Sequence, residues 1–257
     1  MAEAIIKGCL DNKVASATEI NASDPSEDRR EHLSKSFGIS VYDNNEQAIK
    51  GADMVVLATK PQHLEELSRQ LTGKILDSQT IVSILAGVKI NSLIQAFNHK
   101  SIIRVMPNTP AQIGMGMSVW TATEKVDPKI KDKTKTILES LGQQVYVNQE
   151  NYLDMATAVS ASGPAYVFLF IDAMIDAGVY LGLPRDTSRK LVLQTILGSS
   201  QLVLSSGQHP AQLKDEVTSP GGTTAAALLV LEQHEFKGAI MQAVIAAYDK
   251  SNRLDKK

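Results

Sequence analysis

Apolar residues in the first half of the chain gather in short dense runs, and longer polar stretches with helical spacing lie between them. The runs at 54–58, 80–85 and 102–105 are continuous rather than alternating, as expected of strands covered on both faces in a parallel sheet. Shorter strands are predicted at 17–22 and 39–42, and the last ones at 117–121 and 144–147. Helices are predicted at 1–10, 27–36, 46–50, 63–71, 90–97 and 128–141. Strands alternating with helices over this length predict an α/β, Rossmann-like, doubly wound parallel sheet. From residue 151 the strand pattern stops. Helical periodicity then gives 153–162, 165–181, 185–205, 211–217, 223–231 and 237–253, divided by breakers such as Gly182-Leu183-Pro184 and His209-Pro210. The chain therefore reads as two domains, 1–150 with the sheet and 151–257 all-helical.

Composition narrows the function classes. At 43% hydrophobic and 21% charged, the 257 residues are those of an ordinary soluble globular protein. A net charge of −2 offers no basic surface for nucleic acid or anionic lipid. The single cysteine, Cys9, excludes an intrachain disulfide and fits a reducing, cytoplasmic setting. It sits in an apolar helical stretch and reads as a core residue. His32, His63, His99, His209 and His234 have no ligand-like spacing, so no metal is expected. Glu3 and Lys7 interrupt the first ten residues, which lack the apolar centre of an export signal. The stretch 165–183 approaches membrane-span length, but Asp172 and Asp176 interrupt it, and it reads as a buried helix in a dimer core.

Two places carry candidate chemistry. A sheet of this class binds a dinucleotide across the carboxyl ends of its strands, and the usual fingerprint is strand, Gly-x-Gly-x-x-Gly, helix. No such motif occurs; Gly114-Met115-Gly116 lies in a loop before a strand and does not open a helix. The second place is Asp215-Glu216-Val217-Thr218-Ser219-Pro220-Gly221-Gly222-Thr223-Thr224, followed at once by an apolar helical run. A helix start of this kind exposes backbone N–H groups and a positive dipole end, and glycines let a ligand approach. That is a site for a small anion such as a carboxylate. A bare Gly-Gly-Thr would read equally as an ordinary capped helix after a loop.

Three further segments accompany this ten-residue string in order: Ala58-Thr59-Lys60-Pro61-Gln62, Met106-Pro107-Asn108-Thr109-Pro110 and Ser162-Gly163-Pro164-Ala165-Tyr166. Together they resemble the signature of pyrroline-5-carboxylate reductases, the enzymes of the last step of proline synthesis. The resemblance implies reduction of the cyclic imine 1-pyrroline-5-carboxylate to L-proline by hydride from NADPH, with NADH as the alternative. It implies that Ser219, Gly221, Gly222 and Thr223 hold the substrate carboxylate and that the Thr224 hydroxyl contacts the ring nitrogen. It places Ser23 and Asn45 near the adenosine ribose, Ala58, Thr59, Lys60 and Pro61 along the cofactor crevice, and Asn108 and Thr109 beside the nicotinamide. Arg29 and Arg30, behind Asp24, could receive a 2′-phosphate or form a solvated helix face. The helical domain is implied to dimerise, giving a homodimer or higher homo-oligomer.

One part of the family pattern is missing. There the glycine loop runs directly into Met-Ala-x-Ala-Ile and an apolar helix ending in Gly, and this chain begins Met1-Ala2-Glu3-Ala4-Ile5-Ile6-Lys7-Gly8. The resemblance therefore implies a sheet without its first strand and glycine loop. Either the start falls at an internal Met of a slightly longer protein, or the chain is truncated. The first is preferred, because losing a central strand should destabilise the domain and the remaining sequence shows no decay. Two other functions stay open. One is a related imine or β-hydroxyacid reductase, for which Lys190 is the only comparable lysine. The other is a cofactor-incompetent paralogue acting as a dimeric binding protein.

Overall fold

The computed structural model describes Met1–Leu254; the last three positions of segment 151–257 lie outside the described residues. In chain order the elements are α1 (Ala2–Asp11), β1 (Asn21–Ser23), α2 (Glu27–Phe37), β2 (Ser40–Tyr42), α3 (Asn45–Ala48), β3 (Met54–Leu57) and α4 (Leu64–Leu71). Then come β4 (Thr80–Ser83), α5 (Ile90–Phe97), β5 (Ile102–Met106), β6 (Gly116–Ala122), α6 (Pro128–Glu139) and β7 (Gly142–Tyr146). The helical part contains α7 (Asn151–Ala156), α8 (Gly163–Tyr180), α9 (Arg185–Ser206), α10 (Pro210–Glu216), α11 (Thr223–Gln233) and α12 (Phe236–Leu254). Two compact units result: Met1–Ser162 together with the tail from Ala247, and Gly163–Ala246.

In the first unit the sheet is in two pieces. β1 and β2 form a parallel pair, and β3-β4-β5-β6-β7 form a five-stranded sheet. Between the β1 edge and the β3 edge runs a cleft of about 880 Å³. The break falls where the expected central strand belongs in a doubly wound order.

The sheet is parallel-dominated, as expected, with one exception at β6, which runs antiparallel to β5, while the pairs β3–β4, β4–β5 and β6–β7 are parallel. The link from β5 to β6 holds only the short 3₁₀ turn Thr109–Ile113, and a parallel return needs a crossover of a dozen or more residues. The helix α6 supplies such a crossover from β6 to β7. Gly114, at φ +71, ends the 3₁₀ turn. Where β6 meets β7, a Cβ on Gly142 would lie 2.2 Å from the Gly116 carbonyl oxygen, and Gly116 N–H donates to Leu141 O at 2.8 Å. Side chains are excluded there by contact alone.

The predicted strand at 17–22 is also corrected. Ala17–Glu19 is a 3₁₀ turn, because the Glu19 carboxylate accepts from the Ser16 N–H (2.9 Å) and hydroxyl (2.7 Å), and pairing begins only at Asn21. Three apolar clusters hold the unit. One packs Leu57, Leu67, Leu71, Ile81, Leu93 and Ile102. A second gathers Ile103, Val105, Trp120, Leu138 and Leu141, with Ile5 and Met54 against it. The third ties Ile6 of α1 to Leu33 and Ile39, and so carries the β1–β2 pair.

The second unit has little core. α8 meets α9 where Gly178 faces Ser188, whose hydroxyl donates to Ile175 O at 2.8 Å. Ile175 and Val192 are its buried apolar residues among those described. The helical run Asn151–Tyr180 is long and apolar enough to cross a membrane by length and composition, and 6% of its apolar window is buried. Within one chain this helix is not buried, and the expectation placed its burial in a dimer core: Phe168 is 60% and Leu169 71% exposed. Among the described residues none covers them.

Candidate active site

Candidate cofactor residues occupy the carboxyl ends of three strands. Ser23 closes β1, Ala58-Thr59-Lys60-Pro61 leaves β3, and Asn108-Thr109 follows β5. The cleft beside β1 and β3 brings Ser23, Asn45, Ala58 and Thr59 onto one surface. Lys60 and Pro61 continue the same loop, with Pro61 opening the 3₁₀ turn Pro61–His63, but they do not line the cleft, nor do Asn108 and Thr109.

Side chains at the β1 end are pre-arranged. The Ser23 hydroxyl donates to Asn45 Oδ1 at 2.6 Å, and Asn45 Nδ2 donates to Gln70 Oε1 at 2.6 Å. The Asp24 carboxylate accepts from Ser26 N–H at 2.9 Å, closing the turn into α2. Arg30 Nη1 donates to the carbonyls of Asp24 (2.8 Å) and Pro25 (3.0 Å), while Arg29 Nη2 meets Glu3 Oε2 at 2.9 Å. Hydrogen bonding from His32, and next from Arg29, holds the Glu3 carboxyl below its usual range. Cys9 also lines the cleft; burial pushes its thiol up, so the neutral form prevails.

Asn108 is committed to the protein. Its Oδ1 accepts from Met117 N–H at 2.8 Å, and its Nδ2 donates to the Ser160 carbonyl and hydroxyl, each at 3.3 Å. Ser160 belongs to the π-helical turn Thr157–Ala161, which continues α7. Such bulges recur at functional sites.

Sequence reasoning missed Arg104. It sits fully buried in β5, where Nη1 meets Glu150 Oε1 at 2.9 Å and Nη2 meets Asp154 Oδ1 at 3.0 Å. The same Glu150 oxygen accepts from Ile90 N–H at 2.7 Å, so one carboxylate ties β5, the start of α5 and the approach to α7. A charge inside an apolar strand was the available signal, since such a group is buried only with partners.

The substrate candidates lie together in the second unit. Ser219-Pro220-Gly221-Gly222 makes a turn in which Gly222 N–H donates to Ser219 O at 3.0 Å. Proline second and a glycine at φ +70 third are the requirements of a type II turn. A Cβ on Gly222 would sit 2.4 Å from Ser219 Oγ, so only glycine lets that hydroxyl close over the helix start. α11 begins at Thr223 with Gly222 as its cap residue and no side-chain capping bond, which leaves its first-turn N–H groups available to an anion. Lys190 is a solvent-exposed residue of α9. Among the described residues no group of three or more His, Cys, Asp or Glu side chains could hold a metal.

A twisted α/β sheet with polar loops at its strand ends, joined in sequence to helices that present an anion-ready turn, defines a dinucleotide-dependent oxidoreductase. Residues 1–87 match the family described as NADP oxidoreductase coenzyme F420-dependent, and residues 150–254 match pyrroline-5-carboxylate reductase dimerisation. The pyrroline-5-carboxylate reductase of Synechocystis sp. is 44% identical over 100% of this chain and 96% of its own. That of Escherichia coli is 36% identical over 100% and 95%. The chain belongs to the pyrroline-5-carboxylate reductase family. Among solved structures, the Plasmodium falciparum pyrroline carboxylate reductase with NADP bound is 35% identical, with TM-score 0.90, covering 98% of this chain and 93% of that one.

Proposed function

We propose that this protein reduces 1-pyrroline-5-carboxylate to L-proline with hydride from NADPH, NADH being the alternative, and that it works as a cytoplasmic homodimer or higher homo-oligomer. The observation that carries the reading is the uncapped start of α11 behind the Ser-Pro-Gly-Gly turn, in a chain of this family. The Ser219 hydroxyl and the N–H groups of Gly221, Gly222 and Thr223 hold the carboxylate. The Thr224 hydroxyl meets the ring nitrogen, where a hydroxyl can donate to a neutral imine or accept from an iminium N–H. When bound, the dihydronicotinamide supplies the hydride, which adds to the C=N carbon. The C=N π electrons become the nitrogen lone pair of the secondary amine, so an iminium substrate already carries the proton it needs. That agrees with a turn holding no His or Lys.

On the cofactor side, Ser23 and Asn45 bind the adenosine ribose. The backbone of Ala58, Thr59 and Pro61, with Lys60, runs beside the phosphates. Thr109 and the loop fixed by Asn108 orient the nicotinamide. These positions suit a dinucleotide at the strand ends, and the hydrogen bond between Ser23 and Asn45, which puts two polar side chains together there, supports the reading; a Gly-x-Gly-x-x-Gly turn for the pyrophosphate is not among the 257 residues. The exposed apolar helices of the second unit support self-association.

The test is consumption of NADPH on adding pyrroline-5-carboxylate, with proline identified as product. Turnover of a β-hydroxyacid instead, or binding of the imine without turnover, would favour one of the other two readings. Thr224→Ala should lower kcat/KM roughly 10- to 100-fold, as expected for one hydrogen bond to a charged group, with NADPH affinity unchanged. Equal losses in rate and cofactor affinity would remove Thr224 from the reacting nitrogen.

A further inference from the structure

The loop that leaves β5 carries two prolines, Pro107 and Pro110, which have no N–H to give to a neighbouring strand. The antiparallel register of β5 and β6 ends with Met106 opposite Val119, and carried on two residues it sets Asn108 against Met117. There a side chain continues the ladder, as Asn108 Oδ1 accepts from Met117 N–H at 2.8 Å. Asn108 is also the cap residue of the 3₁₀ turn Thr109–Ile113. An Asn side chain at such a position ordinarily accepts from the turn's own N–H groups, yet this one makes no capping bond. Its carboxamide is turned to other partners.

The second partner is Ser160, whose carbonyl and hydroxyl both receive Asn108 Nδ2. Ser160 stands in the π turn Thr157–Ala161, where Ser162 N–H reaches back five residues to Thr157 O at 2.8 Å. In a regular α-helix the Ser160 carbonyl would receive the N–H of residue 164. Residue 164 is proline. Pro164 therefore leaves that carbonyl without its usual helical donor, and the Asn108 side chain supplies one. The stem below the π turn is itself fixed to β5, because Arg104, four residues before Asn108, is paired with Glu150 and Asp154 at the start of α7. β5 and the loop after it thus hold α7 and its π turn at two levels, one by buried charges and one by a single amide. An amide suits the second level, since it offers an acceptor to Met117 and a donor to Ser160 on one planar group.

We propose that Ser160 and Pro164 are positioning residues for hydride transfer: Pro164 frees the Ser160 carbonyl, Ser160 holds the Asn108 amide, and Asn108 sets the conformation of the Thr109 loop beside the nicotinamide. The assignment rests on the cofactor positions given above, in which that loop orients the dihydronicotinamide. In this scheme neither residue touches the reacting atoms. Both act on the distance and angle between hydride donor and acceptor carbon, where a displacement of about 1 Å costs up to roughly 100-fold in rate. The proline of the Ser162-Gly163-Pro164 segment thereby governs the asparagine of the Met106-Pro107-Asn108 segment, although the two lie more than fifty positions apart.

The test is Pro164→Ala, which restores an N–H able to donate to Ser160 O and so displaces Asn108. Hydrogen exchange at the Met117 amide reads the brace with neither cofactor nor substrate present. It should speed roughly tenfold in the variant, as a released Asn108 no longer holds that N–H. In kinetics, kcat for reduction of pyrroline-5-carboxylate should fall roughly 10- to 100-fold. KM for the imine and the affinity for NADPH should stay within about twofold, the mark of an interaction that matters in the transition state. Tm should move by no more than about 3 °C, since the alanine removes a rigid residue and adds a helical hydrogen bond. Faster Met117 exchange together with this split between kcat and KM supports the proposal. Unchanged Met117 exchange, or a joint loss of kcat, KM, cofactor affinity and Tm, would overturn it. Pro164→Ser restores the same N–H and repeats the measurement if the alanine variant does not fold. A parent protein that binds NADPH without reducing the imine counts against the proposed reaction, and the Met117 exchange still decides the brace.

Discussion

The two units solve the burial problem differently. In the first, Ile81, Leu93, Ile102 and Ile103 are at 0% exposure, and even Arg104 is fully enclosed with two carboxylates. In the second, Leu169, Leu181 and Leu204 remain 71%, 81% and 77% exposed. Large exposed apolar patches, unlike scattered single residues, mark interaction surfaces. The contrast teaches that the α/β unit carries its own core, whereas the helical unit has the exposed surface expected of a segment that dimerises, as the family it matches does. Stability of the second unit should therefore depend on protein concentration, and that of the first much less.

Four substitutions probe this contrast. The largest effect is expected from Arg104→Ala, which strands Glu150 and Asp154; loss of one partner of a buried pair costs about 3–5 kcal/mol, readable by urea denaturation. A loss under about 1 kcal/mol would mean that solvent reaches the pair. Next is a matched comparison. Leu93→Ala should cost about 2–5 kcal/mol at any protein concentration. Leu169→Ala should cost under about 0.5 kcal/mol in dilute monomer yet weaken self-association measured by sedimentation. Equal, concentration-independent effects would break the distinction. The smallest concerns acid. Glu3 joins α1 to α2 through Arg29 and His32, and its folded pKa is lowered, so its contribution is present above the unfolded carboxylate range and disappears as pH falls through the lowered value. For so exposed a group this is worth at most about 1 kcal/mol. Glu3→Gln should flatten the melting profile across that acidic window and leave it unchanged near neutrality; an unaltered acid slope would remove Glu3 as its source.

Much of this was legible in the residues. Continuous apolar runs announced β3, β4 and β5, and the helix at Ile90–Phe97 was readable at both ends. The Ser219–Thr224 turn carries its own instructions, since Pro220 and Gly221 specify the bend and Gly222 leaves α11 uncapped. What escaped depended on distant partners. Arg104 looks misplaced in its strand until residues 46 and 50 positions later supply carboxylates. The direction of β6 depends on how little chain joins it to β5, which hydrophobic pattern does not encode. At 17–22 a side-chain to backbone bond from Glu19 overrode strand propensity. Exposure of α8 was invisible because periodicity reports that a face is apolar, not which molecule covers it.

The Gly116–Gly142 contact has a consequence for how this chain can change over time. Because a Cβ at Gly142 would fall 2.2 Å from the Gly116 carbonyl, no compensating side-chain change nearby can make room; the obstacle is main chain. Gly142 also sits at φ +136, outside the range of ordinary side chains. In a saturation library these two positions should accept glycine alone, while the strand residues around them drift. The seam between β6 and β7 is then a fixed point about which the rest of the sheet is free to vary.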